Sequence, residues 1–382
     1  MKKTKVFKVY LIYFISMAIF CLIRIASSLG LFNFAHADII DILYTIIIQV
    51  GLMFVLPLSL YTLFINNKIG FGGTFKTARL HHKVGFRVIL ISFGIGILAF
   101  FINIAVSTLF NGLLTFFGYN QPITNTSIGD PYQSLFPLWL EFLIQVVLVA
   151  VLPAICEEFL HRGLLLHGTR QIGVRKAMFI SSLLFGLIHF NVNQFFYAFV
   201  LGLLMSLVVV ISKSIYPSMI IHFTNNAISV YLTYAELHGW FGGNFYNYLN
   251  NFLQSSNAIL TFIACFTFLT LIVVLLITFI VRLYRLQALN KVQLAINSVY
   301  GRDERANTNS PIYTGQKAIL EDISENNTTL NLNYEEMKSP IDIVLPREVN
   351  VYKPHLLDNM YLISSIVLGG LITVFTFIWG LL

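Results

Sequence analysis

Glu157-Glu158-Phe-Leu-His-Arg162 stands at the end of an apolar run that begins near Phe136. Two adjacent carboxylates and an arginine need a reason to be there. An ionisable side chain at mid-bilayer costs roughly 2.5–3.5 kcal/mol on insertion scales, so it marks a functional-site candidate by default. Neighbours on a helix point about 100° apart, so the two carboxylates cannot do the same job. Glu158 and Arg162 are at i,i+4 and can face each other. Arg162 then neutralises Glu158, and Glu157 points elsewhere with no local partner, free to act as a base. Pro153, one turn earlier, removes a backbone hydrogen bond and can kink the helix. Such irregularity is tolerated where the backbone is buried in protein or lines a cavity.

Two more polar clusters interrupt apolar runs. One is Phe185-Gly-Leu-Ile-His189, followed by Phe190-Asn191-Val-Asn193. The other is His222-Phe-Thr-Asn225-Asn226, in which His222 and Asn226 project from one helix face. Intramembrane His and Asn are costly unless they meet partners. A Glu, two His and an Asn on three neighbouring spans can satisfy one another around a shared, water-containing pocket. Asn191 and Asn193 read as turn residues, with Asn193 a lesser candidate for the pocket. His81, His82, His161, His167 and His238 fall in or near loops and are given no catalytic role.

The elements that must position these residues are membrane helices. Only 11% of the 382 residues are charged and 57% are hydrophobic, against about 25% charged in a soluble domain. The chain is therefore an all-α, polytopic integral membrane protein. Nine spans are expected, at 9–30, 40–65, 87–112, 136–160, 175–190, 195–212, 216–234, 258–281 and 358–381, each near the length that crosses a bilayer. With the N-terminus inside, the outer segments 31–39, 113–135, 191–194 and 235–257 contain no Lys or Arg. The intervening inner segments hold the basic residues, as the positive-inside rule requires. The net charge of +7 is thus a topology signal, and no nucleic-acid partner is implied. A first membrane helix fits the N-terminus better than a signal peptide, because Arg24 interrupts the run and no clear cleavage site follows. Cys21, Cys156 and Cys265 show no paired spacing, so neither a disulfide framework nor a Cys-ligated metal is supported.

Five regions follow. Residues 1–135 hold the N-terminal helices and an outer loop, 136–234 the chemistry-bearing core, and 235–284 an outer loop and a helix. Residues 285–357 form a polar cytoplasmic segment, largely disordered in its centre at about 303–340. Residues 358–382 are the last helix.

At these motifs the chain resembles the CPBP intramembrane proteases, the group containing type II CAAX prenyl endopeptidases and bacteriocin-processing or self-immunity proteins. The family pattern of Glu-Glu-x-x-x-Arg, Phe-x-x-x-His and His-x-x-x-Asn is met by Glu157-Glu158-x-x-x-Arg162, Phe185-x-x-x-His189 and His222-x-x-x-Asn226. Phe199-Val-Leu-Gly202 matches a further Phe-x-x-Gly element. The resemblance covers about 136–232. It implies peptide-bond hydrolysis in the membrane, with Glu157 and His189 activating a water and His222 and Asn226 stabilising the oxyanion. Glu158, Arg162 and Phe185 are supporting residues. The implied partners are a peptide or membrane-protein substrate and the lipid bilayer, with no nucleic acid.

Two mechanisms fit the same residues. Glu157, His189 and His222 would hold one divalent ion such as Zn²⁺, with water in the fourth position, or a metal-free glutamate mechanism operates. The chain lacks His-Glu-x-x-His and Gly-x-Ser-x-Gly. Two other functions compete. One is a non-enzymatic scaffold or regulator of a partner protein on the same fold. The other is a transporter with a proton relay, which the nearly uncharged first three spans disfavour. The composition suggests a bacterial plasma-membrane protein, for which bacteriocin or pheromone precursors are more plausible substrates than prenylated CAAX proteins.

Overall fold

In hydrocarbon every backbone N–H must bond within its own segment, and the apolar runs accordingly fold as helices. The structure is a computed structural model that describes residues 6–29, 31, 37–80, 84–119, 136–253, 258–303 and 356–379, with no strand among them. Helix α1 is Val6–Ser28. Helix α2 covers 37–64 and has a π-helical middle, Ile47–Val55. Short α3 is Gly70–Thr77, and α4 is Phe86–Phe116. Helix α5 is the 35-residue Leu138–Ile172, with π-helical stretches at Val146–Val151 and Phe159–Leu166. Then come α6 (Val174–Leu187), α7 (Val192–Ser212), α8 (Tyr216–His238) and α9 (Phe245–Leu253). Helices α10 (Ala258–Asp303) and α11 (Leu356–Trp379) complete the chain.

Among the described residues seven helices are long and apolar enough to cross a membrane: α1, α2, α4, α5, α7, α10 and α11. Two of the nine expected spans are helices outside this set, for separate reasons. Helix α6 has 14 residues, about 21 Å at 1.5 Å per residue, which is shorter than the ~30 Å hydrocarbon core. Helix α8 has 23 residues, but His222, Thr224, Asn225, Asn226 and Ser229 make it too polar to qualify.

The chain divides into two compact units, Met1–Ile280 with Asn350–Leu382, and Val281–Val349. In the first, α6 packs along α7, α8 along α4, and α11 along α1. Its main core joins α1, α2, α5 and α6, around side chains such as Tyr13, Met17, Leu52, Phe159 and Leu184. The second unit is described only to Asp303, where it continues α10, so this helix runs well past the expected end at 281. The centre of the polar segment, the loop residues 120–135, and His81 and His82 lie outside the described residues.

Candidate active site

Helix α5 carries Glu157 and Glu158 near its middle. It does not end at residue 160 as expected but continues through Arg162 to Ile172. This corrects the placement of His161 and His167 near loops. Both are in the helix, and His161 is fully buried. Its Nδ1 lies 2.8 Å from the Glu157 carbonyl. A carbonyl only accepts, so Nδ1 carries the proton and Nε2 is left to meet the Tyr13 hydroxyl of α1 at 3.1 Å. The Tyr13 hydroxyl has one proton to give, and the Leu184 carbonyl at 2.9 Å competes with Nε2 for it. The backbone at Glu157 is thereby tied to α1 and α6.

Glu158 and Arg162 form the expected pair, Nη1 to Oε1 at 2.8 Å, with both side chains fully buried. Arg162 Nη2 also donates to the Gly202 carbonyl at 3.3 Å. Gly202 permits that approach. A Cβ there would lie 3.1 Å from Ser182 Cα and 3.3 Å from Arg162 Nη2. This gives the Phe199-x-x-Gly202 element a physical reason, because α7 must pass close to both α6 and the guanidinium. The Arg162 guanidinium sits 4.2 Å from the centre of the Phe185 ring. The rings of His161, His189 and His222 stand edge-on to the same phenyl at 5.0, 5.2 and 5.8 Å. Phe185 is thus the apolar hub on which three imidazoles and one cation are arranged.

Glu157 has a different setting. It is half-buried, and Gln49 of α2 donates from Nε2 to its Oε1 at 2.8 Å. It has no partner on its own helix, but the expectation that it stands free needs this correction. Glu157 is mid-way along a long helix, and His189 follows the 14-residue α6. The chain reverses just after His189, with Phe190 at φ 51° and the Asn191 side chain accepting from the Asn193 backbone N–H. Asn193 turns to the Tyr119 hydroxyl at 3.2 Å and takes no part in the site.

The His189 Nδ1 lies 2.7 Å from the Phe185 carbonyl, so Nδ1 is the protonated nitrogen and Nε2 the acceptor. His222 turns its Nδ1 to Glu158 Oε1 at 3.1 Å, so its carboxylate partner is Glu158 and not Glu157. Asn226 is held at both ends. Its Oδ1 accepts from Asn225 Nδ2 at 2.9 Å, and its Nδ2 donates to the Val149 carbonyl at 2.9 Å. Pro153 explains the second bond. It lies four residues after Val149 and has no N–H to give that carbonyl. From α4, Asn103 donates to Asn225 Oδ1 at 3.5 Å, and Ser107 donates to Asn103 at 3.1 Å.

Arg162, His189 and His222 therefore meet at the Phe185 ring, with Glu158 joined to Arg162 and His222, while Asn226 is held by Asn225 and Val149 and Glu157 by Gln49. Gln49, Tyr13, His161, Asn103 and Asn225 were missed. The available signal was a neutral polar residue alone in an apolar run, as in Ile47-Ile48-Gln49-Val50 and Ile102-Asn103-Ile104. Among the described residues no three His, Cys, Asp or Glu side chains converge to hold an ion.

Residues 139–228 match the family model described as type II CAAX prenyl endopeptidase Rce1-like. No curated protein and no solved structure matches the chain.

Proposed function

From the match of residues 139–228 to that family model, we propose that the chain is an intramembrane endopeptidase of the CPBP type, hydrolysing a peptide bond at this site. The observation that carries the reading is the state of Glu157. One carboxylate oxygen is held by Gln49, and no described residue donates to the other. A water between Glu157 and His189 Nε2 meets two acceptors, one of which takes its proton as the oxygen attacks. The carbonyl π pair moves to the substrate oxygen. The proton passes to the leaving nitrogen, the C–N bond breaks, and a carboxylic acid and an amine result.

His222 and Asn226 are the oxyanion donors in this reading. With a carboxylate at Nδ1, His222 donates from Nε2 only as an imidazolium. Asn226 keeps a second N–H beyond the one on Val149. Donors aimed at a developing oxyanion contribute roughly 2.7–4 kcal/mol each. Glu158 and Arg162 hold His222 and the helices in place and do not touch substrate.

The first substrate to test is a farnesylated, internally quenched CAAX peptide, beside its unprenylated counterpart, with the full-length protein in proteoliposomes. Wild type cleaves and Glu157→Gln does not. Equal cleavage by both sinks the proposal.

A further inference from the structure

We infer that Gln49, on α2 and outside the matched residues 139–228, is the positioning residue of the catalytic carboxylate. The inference rests on the endopeptidase reading above. Gln49 is the polar side chain in the π-helical stretch Ile47–Val55, and it crosses 108 positions of sequence to reach Glu157 Oε1 at 2.8 Å. Its own Oε1 is shielded from solvent and has no hydrogen-bond partner. The amide orientation is therefore decided by the carboxylate alone. Reversing it would set oxygen against oxygen and lose the bond. A buried amide with an unpaired oxygen is a net cost to a membrane helix unless its other end is used.

What the bond does follows from the geometry of a carboxylate. With one donor on Oε1, Oε2 is the Glu157 oxygen left open to accept from a water. The same bond fixes the rotation of the carboxyl group, so that Oε2 has one direction. π-Helical turns are frequent at functional sites because they re-aim side chains. Here one such turn carries Gln49, and two others flank Glu157-Glu158 along α5. Asn226 is held at both ends by amide contacts, and Glu157 is held at one end, which suits a group that must receive a proton.

The test uses Gln49→Met, which keeps the shape and apolar fit of the side chain and removes the donor. The full-length protein is assayed in proteoliposomes on the farnesylated quenched peptide, and melting in detergent is recorded in parallel. The expected result is kcat reduced about tenfold, KM unchanged and a melting temperature near that of wild type. Helix-fastening alone would lower the melting temperature and leave kcat of the folded fraction intact, and that pattern overturns the inference. A Gln49→Met protein with wild-type kcat, while Glu157→Gln is inactive, overturns it too and leaves the endopeptidase reading standing. Full activity in Glu157→Gln overturns both.

Discussion

Arg162 offers the sharpest test of how the site is built, because its charge is fully buried and has one carboxylate partner. Arg162→Met removes a guanidinium that contacts Glu158 Oε1 at 2.8 Å, the Gly202 carbonyl at 3.3 Å and the Phe185 ring at 4.2 Å. Glu158 is then left in the protein interior with His222 as its neighbour. Breaking a buried pair by removing one partner costs about 3–5 kcal/mol. The lost cation–π contact, worth roughly 2 kcal/mol when desolvated, is included in that figure. Since whole proteins are stable by only about 5–15 kcal/mol, the variant melts far below wild type in detergent. Glu158→Gln/Arg162→Met removes both charges and keeps an acceptor for His222 Nδ1. It recovers most of the lost stability, because well-packed neutral groups replace a buried ion pair at little net cost. It remains inactive, since no carboxylate then supports an imidazolium at His222. Thermal melting of wild type, the single variant and the double variant measures the cycle. A double variant that melts as low as Arg162→Met refutes the uncompensated-charge argument. An Arg162→Met protein that melts with wild type refutes the buried pair itself.

The remaining predictions concern the helix contacts. Gly202→Ala places a methyl 3.1 Å from Ser182 Cα, which is backbone and cannot turn away. It destabilises by roughly 1–3 kcal/mol, seen as a lower melting temperature with peptidase activity falling alongside it, and an unchanged melt is the contrary result. Pro153→Ala restores an N–H four residues after Val149, which competes with Asn226 for that carbonyl. The expected outcome is reduced kcat with the melting temperature kept or raised, since Pro inside a helix costs about 3 kcal/mol. Wild-type kcat in this variant would show that Asn226 is not held by the carbonyl that Pro153 leaves open.

The local geometry of the motifs was legible from residue order. An α-helix repeats every 3.6 residues, so Glu158 and Arg162 had to face each other, Glu157 had to diverge, and His222 had to share a face with Asn226. Apolar run lengths likewise placed helices at all nine expected positions. Two of these helices, the short one before His189 and the polar one through Asn226, lack the length or the apolar character of the other seven. The partners across helices were not legible. Gln49 and Glu157 are joined over 108 positions, Asn103 and Asn225 over 122, and Tyr13 and His161 over 148. Each is a neutral polar residue with no charge to announce it, and its partner is set by which helices pack together. The attachment of His222 to Glu158 was decided in the same way. Periodicity fixes which side chains share a face within about one turn. Only the packing of separate helices, permitted by residues as small as Gly202, decides which faces meet.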